Sequence, residues 1–330
     1  MSDTNNDIAR IALIGVGGIG FRHLQSILTL ERPFALHIVD TSNKALQNAK
    51  NECEMADAKT AERHYMQNLS ELPEKLDIAI VATSSLPRLA IVKELMERRN
   101  VRFIILEKFL FPNPDDYAVM TELLKNSESK VYVNCVMRVW GVFDQLKPLF
   151  ENENDLYFGV SGGNWGLGCS SIHMIDLLAY ISSSAEGFTF SEDLLDKTVI
   201  PSKRDGYIEF TGTLAGRSER CNQILLTSSR SWDAPTVIEI RSENTIAIVH
   251  ETGIMHISRK SEGWTTTEIP FHVPFQSELT ATLINTLLNT GTCNLTSYAE
   301  SEKLHIPLLN AFMRHMRSLS ENEVTSCPIT

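Results

Sequence analysis

Four apolar residues, Ile11 to Ile14, run directly into Gly15-Val16-Gly17-Gly18-Ile19-Gly20, and apolar side chains then recur at helical spacing as Phe21, Leu24, Ile27 and Leu28. Few stretches restrict a fold so strongly. This one reads as strand, glycine turn and helix, the opening of a βαβ unit. Gly15 permits the tight turn, Gly17 lets the backbone approach a pyrophosphate, and Gly20 lets the helix pack close on the strand. The helix that starts at Gly18-Ile19-Gly20 offers free N–H groups and a positive dipole end to phosphate. A second apolar run, Phe34 to Val39, ends in Asp40 at the distance expected of the acidic residue that meets the adenosine ribose. A carboxylate there accepts bonds from the ribose hydroxyls and repels a 2′-phosphate, which favours NAD over NADP, although Lys44 lies near.

The chain has 330 residues, enough for one large or two medium domains. Its net charge of −11 argues against nucleic acid as a partner, since binding a phosphate backbone needs a concentrated basic face. A local basic pocket for an anionic small molecule stays open. The start, MSDTNNDIAR, is polar and lacks the apolar segment of a signal peptide, and no run approaches the length of a membrane span. The six cysteines are scattered with no C-x-x-C pair, which fits thiols in a reducing cytoplasm and no metal site.

Taken in order, the pattern alternates strictly up to residue 133. After Asp40, Ser42 can cap a helix from Asn43 to Glu54, and Tyr65 and Leu69 suggest a short strand and turn. Leu76 to Ala82 reads as a buried parallel strand ending in Thr83-Ser84, small hydroxyl residues where a doubly wound sheet binds its ligand. A helix from Arg88 to Arg99 should bury Leu89, Val92, Leu95 and Met96. Val101 to Leu106 is the next strand, ending in Glu107-Lys108. A helix from Asp115 to Asn126 and a strand from Val131 to Val136 follow. Beyond Asn134 the rhythm changes. Arg138 to Phe150 reads as helix, Asp155 to Ser161 as strand, and Ser170 precedes an apolar helix. Strand-like runs follow at Gly206–Leu214, Cys221–Thr227, Thr236–Arg241, Thr245–His250 and Gly253–Ser258. Helices at Glu278–Leu288 and Tyr298–Leu319 close the chain. The expectation is an α/β protein. Residues 1–133 form a doubly wound, parallel Rossmann sheet, and residues 134–330 an α+β domain with a large, mostly antiparallel sheet.

Two groups carry chemistry beyond the glycine loop. Lys108, at the carboxyl end of its strand beside Glu107, is expected to face the nicotinamide, where an ammonium can polarise a substrate oxygen and stabilise an alkoxide. Cys169, His173 and Asp176 follow four- and three-residue spacing and so share one face of the apolar helix. His173 has the right ordinary pKa to carry the proton of an alcohol oxidation, while a His beside an Asp on an apolar helix also fits a satisfied core pair.

The ordered set GVGGIGFRHLQSI, VATSS, LEKF at 106–109 and IHMIDLLAYI at 172–181 resembles the glucose–fructose oxidoreductase, inositol dehydrogenase and rhizopine-catabolism (Gfo/Idh/MocA) family over nearly the whole chain. The resemblance implies an NAD(H)-dependent oxidoreductase that moves hydride to or from a sugar carbon. It puts Lys108 and His173 at the hydride-transfer site and maps Asp176 onto the Asp of H-x-x-D. It also brings Arg138 near the substrate and makes the C-terminal sheet the contact of a homodimer or homotetramer. Asn164 and Trp165 are expected to meet the sugar, together with Cys169. Two departures stand out. Phe109 replaces a Pro that often follows a cis bond, and Cys169 stands where many polyol dehydrogenases of the family carry Asp. A thiol cannot hold imidazolium charge as a carboxylate does, so a sugar nucleotide or surface-polysaccharide intermediate fits better than a free polyol. A non-catalytic NAD-binding sensor or scaffold, and an enzyme of a non-sugar ring, are the alternatives.

Overall fold

The computed structural model describes residues 8–56, 58–320 and 323–330. They fall into two units. One comprises the described residues up to Glu107, with Ala118–Asn134 and Pro274–Ser297. The other comprises Lys108–Tyr117, Cys135–Val273 and the described residues from Tyr298. Two segments therefore cross the boundary expected at 133/134.

In the first unit the alternation becomes β1 (Ala9–Ile14), α1 (Gly18–Ile27), β2 (Phe34–Val39), α2 (Asn43–Met55), β3 (Thr60–Met66), β4 (Lys75–Val81), α3 (Ser85–Arg98), β5 (Asn100–Leu106), α4 (Asp115–Lys125, from Ala118 onward in this unit) and β6 (Lys130–Val133). The six strands are parallel in the order β6-β5-β4-β1-β2-β3. Every residue of β2 is buried, as a strand covered on both faces requires. Strand order reverses between β1 and β4, so the loops that follow them, Gly15–Gly20 and Thr83–Ser84, lie at the topological switch point where such sheets bind ligands. Ser42 Oγ accepts from Ala45 N at 3.3 Å and caps α2. Helix α3 begins three residues earlier than expected, because Pro87 falls in the first turn, where a missing N–H costs nothing. Its buried stripe is Ser85, Arg88, Val92 and Leu95; Leu89 and Met96 are half-buried.

In the second unit the helix expected at Arg138–Phe150 is a 3₁₀ turn (Val136–Val139) followed by α5 (Gly141–Asp144) and α6 (Lys147–Phe150). Pro148 explains the break, since it cannot donate to the carbonyl four residues back and its ring crowds that carbonyl. Then come β7 (Leu156–Gly163), α7 (Leu167–Ser182), β8 (Thr189–Leu195), β9 (Ile200–Pro201), β10 (Ile208–Glu209), β11 (Gly212–Arg217), β12 (Cys221–Ser229), β13 (Val237–Arg241), β14 (Thr245–His250), β15 (Ile254–Arg259) and β16 (Thr266–Pro270). Eight of these strands form a sheet in the order β16-β15-β14-β13-β7-β12-β11-β8. All pairings are antiparallel except β7 with β12. The run expected from Gly206 to Leu214 splits in two. Gly212 (φ +95) turns the chain, and a Cβ there would lie 2.6 Å from Asp196 N and Leu194 O. The two edge strands, β8 and β16, are polar and carry no apolar alternation that would announce them.

Helix α8 (Gln276–Thr290) and the short β17 (Thr296–Ser297) belong to the first unit, where β17 pairs antiparallel with β6. Helix α8 packs on α1, and Ser26 Oγ accepts from Ala281 N at 2.9 Å. Helix α9 (Tyr298–Leu319) completes the second unit. None of the described helices is long and apolar enough to cross a membrane.

Candidate functional site

The glycine loop of the first unit has the geometry its spacing implied. Gly15 has φ +88, and a Cβ on it would sit 3.0 Å from Thr83 N and Cγ2. A Cβ on Gly20 would lie 1.9 Å from Gly15 O, so α1 leaves the loop too closely for any other residue. Gly17 and Gly18, by contrast, face open space with nothing within 4 Å. Gly17 caps α1 without a side-chain bond, so the amides of Gly18 and Ile19 begin the helix with no side-chain acceptor from the cap. Asp40 also has a structural role that its spacing did not announce. Its Oδ2 accepts from Val16 N and its Oδ1 from Ser42 N, each at 2.8 Å, and the carboxylate thus pins the loop to the end of β2. Thr83 Oγ1 is buried beside Gly15 with no hydrogen-bond partner among the described residues. Ser84 is the N-cap of α3. An open cradle at Gly17–Gly18, a helix N-terminus and an unsatisfied hydroxyl fit the diphosphate and ribose of a dinucleotide. The adjoining cleft, about 670 Å³, is lined by Gly17, Gly18, Arg22, Ser42, Lys44 and Asn48 among others.

Glu107, expected at the cofactor, is only 4% exposed. Its Oε1 accepts from Asn134 Nδ2 and lies 2.9 Å from His23 Nε2. The network continues from His23 Nδ1 to Thr280 Oγ1 (2.8 Å) and from Asn134 Nδ2 to Gln276 Oε1 (2.9 Å). The sequence reading missed His23, Asn134, Gln276 and Thr280. The one available signal was His23 itself, a titratable residue beside Leu24 on the apolar face of α1.

In the second unit Lys108 and α7 come together. The Lys108–Phe109 peptide is cis. The Phe109 ring is fully buried and stands edge-on to His305, with centroids 4.7 Å apart. Lys108 Nζ donates to Cys169 O at 3.3 Å, in the first turn of α7. That turn is fastened by Glu209 of β10, whose carboxylate accepts from Gly168 N (2.7 Å), Cys169 N (3.0 Å) and Phe210 N (3.4 Å). Glu209 is 8% exposed and had no signal in the sequence, because the strand that carries it is two residues long. An anion suits this position, the positive end of a 16-residue helix. Burial pushes the Cys169 thiol pKa up, Lys108 opposes that, and Glu209 adds to it, so the group stays protonated at neutral pH.

His173 lies one turn beyond Cys169, half-buried, and lines a cavity of about 270 Å³ with Trp140, Trp165, Ser170 and Met174. Trp165 and Ser170 also face a larger cleft of about 690 Å³ that includes Asn164 and Cys169. Trp165 is fixed by its Nε1 bond to Thr227 O (2.7 Å), and Asn164 by its Nδ2 bond to Arg230 O (3.1 Å). Asp176 and Arg138, expected at the substrate, form a buried ion pair. Arg138 Nε donates to Asp176 Oδ2 and its Nη2 to Asp176 Oδ1, both at 2.7 Å, with the pair 5% and 0% exposed. Glu300 Oε1 accepts from the same Nη2 at 3.1 Å. Burial opposes the Arg138 charge, but Asp176 and then Glu300 outweigh it and raise its pKa further. The shared face of α7 therefore divides: Cys169 and His173 border cavities, while Asp176 is internal.

Residues 9–135 match the family model GFO_IDH_MocA, described as an oxidoreductase family with an NAD-binding Rossmann fold. No curated protein sequence matches the chain. Among solved structures, UDP-N-acetylglucosamine 3-dehydrogenase GnnA from Acidithiobacillus ferrooxidans is similar at TM-score 0.71 and 12% identity, over 92% of this chain and 96% of that one. The WlbA dehydrogenase from Bordetella pertussis, solved with NADH and UDP-GlcNAcA, is similar at TM-score 0.67 and 19% identity, over 94% and 97%. A super-repressor mutant of Gal80p from Saccharomyces cerevisiae is similar at TM-score 0.71 and 12% identity, over 94% and 97%. At these identities the likeness shows a shared fold.

Proposed function

We propose, from the match of residues 9–135 to the NAD-binding model of the Gfo/Idh/MocA oxidoreductase family, that the chain is a dehydrogenase or reductase of that kind acting on a sugar carbon of a sugar, polyol or sugar nucleotide. The nicotinamide, when bound, supplies or takes the hydride. NAD is the preferred form, because the Asp40 carboxylate at the end of β2 opposes a 2′-phosphate.

The observation that carries the reading is Lys108 held on the carbonyl of Cys169, one helical turn from His173. Lys108 binds the reacting oxygen and stabilises the negative charge that develops on it. The bond to Cys169 O takes one of the three ammonium hydrogens and leaves two for the substrate. His173 receives the proton in oxidation and returns it in reduction. Trp165 offers an apolar wall for a sugar ring, and Asn164 stands beside it for hydroxyl contacts. Glu209 holds the first turn of α7 in register, which fixes the carbonyl that orients Lys108. Arg138 and Asp176, paired with each other, anchor the middle of the same helix.

The test is steady-state turnover, followed by NADH absorbance, for Lys108→Ala and His173→Ala with UDP-N-acetylglucosamine and a panel of free sugars. Each variant should lose at least a hundredfold in kcat while NAD binding holds. Wild-type turnover in either variant refutes the assigned role. A second reading, an NAD-binding sensor, draws on one feature, the thiol at position 169 where a carboxylate would support proton transfer. Dinucleotide binding with no turnover on any sugar supports it. The half-exposed face of the second sheet, with Val237, Ile246, Ile248 and Ile254 alternating with buried neighbours, supports assembly as a homodimer or homotetramer. Light scattering checks that assignment.

A further inference from the structure

The amino edge of the parallel sheet in the first unit gathers positive charge that the dinucleotide chemistry does not use. Ile11 of β1 pairs with Ile78 of β4, and Ile78 with Phe103 of β5. One step earlier, Arg10, Asp77 and Arg102 therefore stand abreast on one face of the sheet, and Lys75, two residues before Asp77, shares that face. The last four residues of each strand are buried, but Arg10, Lys75 and Arg102 are exposed. Arg32 joins them, and these four cations line a groove of about 400 Å³ together with Asp77 and Asn100. A fifth cation adjoins it, since a Cβ on Gly291 would lie 4.0 Å from both Arg102 Nη2 and Lys130 Nζ.

None of the five is ion-paired among the described residues. Asp77, the carboxylate in the groove, accepts from the backbone N–H of Arg10 at 2.8 Å. Glu62, which feels the Arg10 charge from β3, lies 3.0 Å from His64 Nε2. The four cations lining the groove outnumber Asp77 and Asp7 together, Asp7 being the residue before Ile8 in the sequence. A helix carboxyl end attracts cations and accounts for two of the five. Lys130 Nζ donates to Gly291 O at 2.9 Å, and Arg32 Nη1 to Asn289 Oδ1 at 3.3 Å, both at the end of α8. It does not account for Arg10, Lys75 and Arg102, which are carried by strands. Like charges side by side repel one another, and an anion seated among them relieves that repulsion.

We propose that this groove binds a small polyphosphate, at a site separate from the dinucleotide cleft. Gly15 lies five residues beyond Arg10 along β1, about 16 Å at the rise of a parallel strand, so the two anion sites occupy opposite edges of one sheet. Strands β1 and β5 flank β4 and are two strand spacings apart, about 10 Å. A chain of linked phosphates bridges that distance better than a single phosphate does. Arg10 and Arg102 suit two-oxygen contacts, whereas Lys75 adds a point charge. The phosphate chain belongs either to a nucleotide or to inorganic polyphosphate.

The experiment is calorimetric titration of the full chain, saturated with NAD, with inorganic tripolyphosphate, ATP and orthophosphate. Tripolyphosphate or ATP should bind at one site about tenfold or more tightly than orthophosphate, with affinity that falls as salt rises. Arg10→Gln/Arg102→Gln should weaken that binding about tenfold or more, and Lys75→Gln/Lys130→Gln should act in the same direction, while NAD affinity holds in both. The control Lys197→Gln/Arg217→Gln removes the same charge from exposed positions of the second unit and should leave binding unchanged. Tighter binding of ATP identifies the ligand as a nucleotide; equal or tighter binding of tripolyphosphate identifies the bare chain. The proposal is overturned by the absence of saturable binding, by displacement of NAD, by an equal loss in the control, or by full affinity in Arg10→Gln/Arg102→Gln.

Discussion

Asp176→Asn isolates one of the two expected substrate residues, Asp176 and Arg138, that the structure places inside the protein. The Arg138 guanidinium is 5% exposed and meets both oxygens of Asp176 at 2.7 Å, while Glu300 reaches it from α9. Removing the buried carboxylate leaves a cation that cannot easily lose its proton, with Glu300 as its remaining charged partner beside the Asp176 carbonyl and the Tyr180 ring. Breaking a buried pair in this way costs about 3–5 kcal/mol, a large share of the roughly 5–15 kcal/mol that holds a typical domain folded. The four tryptophans, Trp140, Trp165, Trp232 and Trp264, all lie in the second unit, so their fluorescence reports its unfolding specifically. With an m-value of about 2 kcal/mol per molar urea the midpoint should fall by ~2 M. The companion Arg138→Met/Asp176→Leu, which removes both charges, should be less destabilised than either single change, because the penalty lies in the orphaned charge. The reasoning is refuted if Asp176→Asn shifts the midpoint by less than about 0.5 M and instead raises KM, since the carboxylate would then be addressing a ligand.

Gly17→Ala and Gly20→Ala should separate binding from stability. The open space at Gly17 accepts a methyl group in the free protein, so melting should hold while NAD affinity drops at least tenfold; at Gly20 a Cβ 1.9 Å from Gly15 O forces the loop and helix apart, costing about 1–3 kcal/mol or more as well as the affinity. Equal melting losses in both would contradict the geometry. His37, buried in β2 and stacked on His64 at 4.7 Å, has its pKa lowered to about 4, first by burial and then by the neighbouring His64. The folded state thus refuses a proton that the unfolded chain takes near pH 6.5, so the associated stability is present above pH 6.5 and is lost as pH falls toward 4. Between pH 7 and pH 5 the loss is about 2 kcal/mol, and His37→Phe should abolish that part of the urea-midpoint dependence on pH.

The first unit was legible because its signals are local and dense. Continuous apolar strands, a glycine pattern tied to backbone geometry and Asp40 at strand end each follow from a single requirement. The places of Lys108, at a strand end, and of His173, at helical spacing from Cys169, follow from equally local signals. What escaped depends on pairings distant in sequence. Spacing correctly put Asp176 on the face of Cys169 and His173, but spacing cannot say that Arg138 comes to meet it. Glu209 sits on a two-residue strand and binds amides 40 residues away. The edge strands β8 and β16 are made by their neighbours' hydrogen bonds and not by their own side chains.

The least legible feature is the return of residues 274–297 to the first unit, and it yields a prediction about where that unit can be cut. A chain ending at residue 133 keeps every strand from β1 to β6 and looks complete by pattern. It lacks α8, whose Leu283, Ile284 and Leu287 are 5%, 0% and 0% exposed, and whose Thr280 and Gln276 complete the polar network on His23 and Asn134. Burying three such aliphatic side chains is worth roughly 1.5–3 kcal/mol each, so about 5–9 kcal/mol of apolar burial goes with α8, before counting a buried Glu107–His23 pair left partly unsatisfied. That loss matches the whole stability of an ordinary domain. Residues 8–133 alone should therefore be insoluble or bind hydrophobic dyes without a cooperative melt. The same segment joined through a short flexible linker to residues 274–297 should melt cooperatively and bind NAD. A cooperative, NAD-binding 8–133 fragment would mean that α8 decorates the sheet instead of completing its core, and the boundary between the units would then revert to the one the alternation of strands and helices implied.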